Sequence, residues 1–213
     1  MPPLFLISLL AVTGVVALLV GLRAHVTRSR EGKMLAFVAL LALPIIAAGL
    51  GFNEHMDRAQ TTTFCLSCHV MGDYGKSLYI DDPSYIPARH FQNNRVPRER
   101  ACYTCHTDYT MFGTVKAKAT GLEHLYVQYF KGAPKPEAIK LYEPFRNAQC
   151  LHCHLGARRF EEGSAHNKVP GLLDMVKSEQ KSCTSSGCHE FIHDVASIKD
   201  ATFWKPKPEA NKQ

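Results

Sequence analysis

No cysteine in this 213-residue chain stands alone. All eight fall into four pairs, Cys65/Cys68, Cys102/Cys105, Cys150/Cys153 and Cys183/Cys188, which leaves no odd thiol for a separate role. No basic residue precedes the first apolar run. The chain opens MPPLF and its first charges come after that run, which argues against a cleaved secretory leader. No fixed period links the pairs, whose starts lie 37, 48 and 33 residues apart, and this argues against a solenoid. Nor is one sign of charge in strong excess. The formal net charge is +6, and setting aside the four basic residues and one acid before residue 53 leaves 21 basic against 18 acidic side chains. That small balance gives no reason to expect a nucleic-acid partner.

What is present is a histidine directly after every second cysteine: CLSCH at 65–69, CYTCH at 102–106, CLHCH at 150–154 and CTSSGCH at 183–189. A zinc ribbon or a disulfide framework has no need of that histidine four times over, whereas covalent attachment of c-type haem does. On a short helical turn, positions i and i+3 lie side by side with i+4 next to them. Both thiols then reach one haem edge while the imidazole swings under the iron. The fourth motif spaces its cysteines by four residues, so its loop must bulge, and Gly187 supplies backbone freedom beside Cys188. Four haems, numbered here by motif, are expected on these eight cysteines.

Leu4–Leu22 and Met34–Phe52 are uncharged and apolar, each near the roughly 20 residues that cross a bilayer as a helix. Between them, RAHVTRSREGK (23–33) carries Arg23, Arg28, Arg30 and Lys33 against Glu31, the composition of a short cytoplasmic loop. Two spans with the termini on the periplasmic side follow. Thioether attachment of haem, which in bacteria belongs to that face, agrees with this orientation. Pro44 is expected to kink the second span. The expected organisation is a membrane anchor at 1–52, a haem domain at 53–200 and a tail at 201–213. The expected fold is mainly α, with long irregular loops and little β-structure.

About forty residues per haem are too few to build an aliphatic core around each macrocycle, so haems and their ligands must supply much of the core. Their propionates, about eight in all, would make the assembled domain more acidic and give its basic side chains partners. Of eleven histidines, His69, His106, His154 and His189 are the default proximal ligands. His25 lies in the cytoplasmic loop. His90 and His166, in polar stretches between motifs, are the strongest distal candidates. His193 is either a ligand or a supporting hydrogen-bond donor, and His124 is also available. His152 is expected to point away from its own haem, and His55 to be an interfacial polar residue.

These features resemble the NapC/NirT family of membrane-anchored tetrahaem quinol dehydrogenases, over roughly Cys65 to His193. The most specific part is Cys-x-x-Cys-His-x-Met, Cys65 through Met71, followed by the lone His90 about a dozen residues before the second motif. The resemblance implies that Met71 replaces His69 as ligand to haem one, raising its potential, although a buried methionine beside a ligating His69 is the ordinary alternative. It also implies a quinol pocket beside haem one. A lysine and an acid would come from a segment similar to Lys118-Ala119-Thr120-Gly121-Leu122-Glu123-His124. Here Lys118 or Lys116 stands near the family lysine, and His124 or Glu123 suits proton acceptance. The second apolar run and the wider fourth motif depart from the family pattern, and the extra run suggests additional membrane subunits. Twelve residues separate Phe52 from Cys65, a rise of about 18 Å if helical, so haem one is expected near the lipid. The implied function is electron transfer from the quinol pool through four haem c groups to a periplasmic redox partner. A non-catalytic electron wire within a membrane complex, or a terminal multihaem reductase, are the other classes.

Overall fold

The computed structural model describes residues 3–22, 28–141 and 145–204; Arg23, His25 and the tail from 205 onward lie outside these. The chain divides into two compact units, Met1–Ala59 and Gln60–Gln213.

The first unit is helical. Helix α1, Pro3–Leu22, contains no charged residue. Helix α2, Arg30–Arg58, starts at the Ser29 cap, whose Oγ accepts from the Gly32 N–H at 3.0 Å, and runs 29 residues. It therefore begins inside the segment expected to be loop and continues past Phe52. Pro44 does not break it. A proline at 44 removes the donor that would reach Leu40, and the helix answers with a π-helical turn at Val38–Ala42, where the Leu43 N–H reaches back to Val38 O. Buried Val20 packs with Ala36 and Ala39 in one cluster, small side chains letting the two helices approach closely. Around them Leu10, Leu18, Leu41, Ile45 and Ile46 are exposed, the pattern of a surface meant for lipid. Among the described residues only α2 is by itself long and apolar enough to cross a membrane. In α1 the apolar stretch with described side chains, Ile7–Leu22, is shorter.

The second unit consists of short helices and irregular connections: α3 (Thr62–Cys65), α4 (Gly72–Ser77), α5 (Ile86–Gln92), α6 (Ala101–Cys105), α7 (Gly113–Tyr126, extended by a π-helical stretch at Val127–Gly132), α8 (Asn147–His154), α9 (Arg158–Glu161) and α10 (Leu172–Lys177). Among the described residues there is no strand, only an isolated bridge from Ile80 to Phe203. The beginning of the expected tail is held by that bridge. Asp81 N–H donates to Thr202 O at 2.8 Å and Trp204 N–H to Tyr79 O at 2.6 Å. The apolar core is small, with Leu78, Phe91, Val96 and Ala101 clustered against Cys105. Arg98 covers the Phe91 and Trp204 rings at 5.3 and 5.6 Å. A core that small cannot organise a unit of this length, and its organisation falls to the segments that carry cysteine and histidine.

Candidate haem-binding site

The first three cysteine motifs lie on or beside short helices. α6 spans Cys102 to Cys105, and α8 contains Cys150, Cys153 and His154. The first motif corrects the expectation of one helical turn carrying both thiols and the imidazole. α3 stops at Cys65, and Cys68 lies beyond it in extended backbone (φ −80°, ψ 125°) that caps the 3-10 turn His69–Met71. Ser67 is the reason. Its N–H and its hydroxyl both donate to Phe64 O, at 3.2 and 2.7 Å, which closes the helix before Cys68 can join it. The fourth motif is a loop whose Gly187 has φ +78°, the left-handed conformation that a wider spacing requires.

No two of the eight cysteines are joined in a disulfide; Cys68, Cys153 and Cys188 are exposed and the other five partly buried. The buried thiols meet across motifs rather than within them. Before haem is attached, the Cys65 thiol interacts with Cys102, which lowers its pKa to about 7 against the opposing effect of burial, with Lys118 adding to the lowering; Cys102 is pushed up in turn. Cys150 and Cys183 form the corresponding pair, with Cys183 lowered by the hydrogen bond and Cys150 raised. Cys68 therefore does not sit beside its partner Cys65 in a shared turn. It stands on the surface, where a haem edge can reach it.

The histidines also come together in pairs, each joining a motif histidine to one from a distant segment. The ring centres of His90 and His154 lie 5.9 Å apart, those of His106 and His193 6.2 Å, and those of His166 and His189 6.2 Å. An iron with a nitrogen about 2 Å away on either side, plus roughly 1 Å from each nitrogen to its ring centre, sets two axial imidazoles about 6 Å apart. The partner from outside the motif in each pair is fixed in one tautomer. His90 Nδ1–H donates to Ile86 O at 2.8 Å and His166 Nδ1–H to Phe160 O at 3.0 Å. His193 Nδ1 lies 2.6 Å from Ser77 Oγ, whose own proton is already given to Tyr74 O at 2.7 Å, so the histidine is the donor there as well. In all three the Nε2 lone pair is left for a metal, as an iron ligand requires. Among the described residues no group of three or more His, Cys, Asp or Glu side chains is gathered around a bare ion. Two protein ligands are what an iron held by four porphyrin nitrogens takes.

The backbone at His193 has φ +42°, unusual for a side chain with a Cβ, and this turn aims the ring at His106. Burial holds both imidazoles below the ordinary histidine range, His193 to about 4. His106 is nonetheless exposed as a residue, its lowering coming from the protein atoms packed around the imidazole, with the charge of His124 adding to it. The first motif again differs from the rest. His69 and Met71 share one 3-10 turn, His69 exposed and Met71 half-buried. Among the described residues no ring contact joins His69 to a second histidine. His152 is exposed and stacked on Tyr109 at 3.6 Å, and His55 lies in the last turn of α2.

Helix α7 places the remaining candidates. Tyr103 Oη donates to Thr114 Oγ1 at 2.7 Å, tying its first turn to the second motif. Gly113 sits so close to Asp108 O that a Cβ there has no room. Lys116 pairs with Asp108 at 3.5 Å, whereas Lys118 Nζ lies 5.0 Å from the Tyr103 ring and 5.9 Å from the Phe64 ring. Of the two lysines, Lys118 is therefore the one beside Cys65. Glu123 and His124, five and six residues on, fall on other sides of the helix, and His124 acts on His106 instead. Val115, Leu122, Leu125, Tyr126, Tyr129 and Phe130 are all exposed, a largely apolar stripe in which Lys118 is embedded.

Ser77, Tyr103, Thr62 and Asn147 were not anticipated from the sequence. Ser77 is 116 residues from the histidine it orients, and no local pattern marks such a contact. The carbonyl of Ile86 was accessible in principle, since it lies one helical turn before His90.

Four cysteine pairs with adjoining histidines, and imidazoles facing each other at an iron-bridging distance, define a c-type cytochrome. The sequence model of the NapC/NirT cytochrome c family, N-terminal region, matches residues 27–198. Among curated proteins, the cytochrome c-type protein NapC of Haemophilus influenzae is 22% identical over 170 residues, 73% of this chain and 78% of that protein. NapC of Escherichia coli K12 is 25% identical over 166 residues, 70% and 76% of the two chains. The denitrification system component NirT of Stutzerimonas stutzeri is 26% identical over 163 residues, 69% and 76%. No solved structure matches. The chain belongs to the NapC/NirT cytochrome c family: it is a membrane-anchored electron-transfer cytochrome with covalently bound haem c.

Proposed function

We propose that the protein carries four haem c groups, oxidises quinol at the periplasmic face of the bacterial inner membrane and delivers the electrons to a periplasmic partner protein. In this proposal haem one is attached through Cys65 and Cys68, and the other three through the cysteine pairs of their own motifs. Haem two is held by His106 and His193, haem three by His154 and His90, and haem four by His189 and His166. Haem one takes Met71, with His69 its alternative ligand. The haems supply the one-electron chemistry. The protein fixes ligands, spacing and access.

The observation that carries quinol oxidation is the placement of Lys118 beside Phe64, Cys65 and Tyr103, on a helix whose exposed stripe is apolar. An amphiphilic quinol finds there a surface for its ring and a cation for the oxygen that becomes anionic as it loses a proton. Glu123 and His124, exposed on other sides of α7, are suited to take the released protons outward. The seven residues from Arg58 to Cys65 span at most roughly 25 Å of extended chain, which keeps the first motif within reach of lipid. α1, with its 20 residues, is proposed as a second span, with the basic cluster Arg28, Arg30 and Lys33 on the cytoplasmic side and further membrane subunits as neighbours. Three irons closed by two imidazoles each leave little place for a terminal reductase.

The test is reduction of the purified protein by a menaquinol analogue. Wild type is expected to be reduced directly. Lys118→Ala should slow that reduction about tenfold, equivalent to ~1.4 kcal/mol in the barrier, while dithionite still reduces every haem. An unchanged rate in the variant, or reduction of wild type only after another subunit is added, overturns the quinol site and leaves an electron wire.

A further inference from the structure

Two buried polar side chains occupy the same place in two halves of the haem unit. Thr62 is the first residue of α3 and stands three before Cys65; Asn147 is the first residue of α8 and stands three before Cys150. Their relative exposures are 9% and 1%. Thr62 Oγ1 donates to Arg98 O at 2.7 Å and accepts from the Ala101 N–H at 2.9 Å, gripping the backbone on the N-terminal side of Cys102. Asn147 Nδ2 donates to Val176 O at 2.8 Å and to Lys181 O at 2.7 Å, and its Oδ1 accepts from the N–H of Cys183 itself at 2.8 Å. Each residue thus ties an odd-numbered motif to the even-numbered motif after it.

A second contact reinforces the later pair. Glu179, in the left-handed conformation at φ +63°, turns its carboxylate onto the start of α8. Its two oxygens accept from Asn147 N–H at 2.9 Å and Ala148 N–H at 3.0 Å, satisfying donors that a helix N-terminus leaves open. The outcome is the same in both halves: a side chain three residues before the first cysteine of one motif holds the backbone at the start of the next, at Ala101 N–H beside Cys102 and at the N–H of Cys183. Two segments of different sequence, 37 and 33 residues from motif to motif, reach one arrangement through one device.

We infer that Thr62 and Asn147 are positioning residues, each setting the spacing of two adjacent haem attachment sites, Thr62 for haems one and two and Asn147 for haems three and four. Losing either side chain leaves buried backbone groups unpaired, so the two motifs drift apart while the rest of the domain keeps its own contacts. This inference rests on the tetrahaem proposal above.

The test uses the full-length, membrane-extracted protein and the variants Thr62→Ala, Thr62→Ser, Asn147→Ala and Asn147→Asp. Thr62→Ser keeps the hydroxyl, and Asn147→Asp keeps the acceptor for Cys183 but loses both donors. Two readouts are taken, the intact mass and the electron paramagnetic resonance spectrum through a redox titration. Thr62→Ala is expected to shift potentials and signals of haems one and two only, and Asn147→Ala those of haems three and four only, with a haem missing from that pair in part of the population. Thr62→Ser should restore the wild-type spectrum, and Asn147→Asp should shift the later pair less than Asn147→Ala does. If Asn147→Ala does not fold, the same pair-confined shift is required of Asn147→Asp, and if Thr62→Ala does not fold, it is required of Thr62→Val, which keeps the size of the side chain and loses the hydroxyl. Changes spread over all four haems, or none in any variant, overturn the inference. Wild-type protein with fewer than four haems overturns the tetrahaem proposal instead, so the two failures are distinguishable.

Discussion

At the scale of single residues, the chemistry is set by which atom of a side chain is kept free. The tautomer of His193 is decided by Ser77, whose own hydroxyl proton is given to Tyr74 O, and the positive φ of the histidine supplies the aim. Replacing His193 with alanine should convert one haem from low to high spin, visible as loss of its low-spin signal, and leave the others low-spin. His90→Ala and His166→Ala should each do the same to a different haem. Met71 is the complementary case. A thioether ligand favours the reduced iron relative to a second imidazole, so Met71→His should lower the potential of one haem in a potentiometric titration. No change in any potential would return the ligand role to His69.

At the scale of elements, local spacing explains what the sequence made legible. Cysteine and histidine at i, i+3 and i+4 identified the helical turns of the second and third motifs, and the extra residues of the fourth implied the bulge now seen at Gly187. The first motif has the same spacing without the same turn, because Ser67 ends α3 and leaves Cys68 in extended backbone; spacing cannot register a side chain that competes for a helix carbonyl. Because Gly187 has φ +78°, Gly187→Ala should cost about 1–2 kcal/mol, read as a lower melting temperature and as incomplete attachment at the fourth motif. Pro44 was legible as a disturbance but not as the π-helical turn that absorbs it, since several local rearrangements satisfy the freed carbonyl. On α7, spacing alone left Lys116 and Lys118 as equals. Only packing separated them, through Asp108 beside one and Tyr103 and Phe64 beside the other.

At the scale of the whole molecule, the unit after Ala59 is organised by pairing. Thr62 and Asn147 tie neighbouring motifs together, and histidine meets histidine over intervals as long as the 87 residues that separate His106 from His193. The attachment residues were legible because they are contiguous. The assignment of a distal partner to each motif was not, because it depends on which loop crosses which motif, and loop crossing leaves no local trace in composition or period. His90 and His166 stood out by lying alone in polar stretches, whereas His193, four residues after His189, looked as much like a neighbour of its own motif as a partner for the second.

The most direct measurement is the intact mass of the mature, membrane-extracted chain. Four covalent haem additions on one polypeptide are predicted, one for each Cys-Cys-His motif. A mass showing three or fewer, or cysteines that remain open to alkylation after denaturation, would contradict the account at its base.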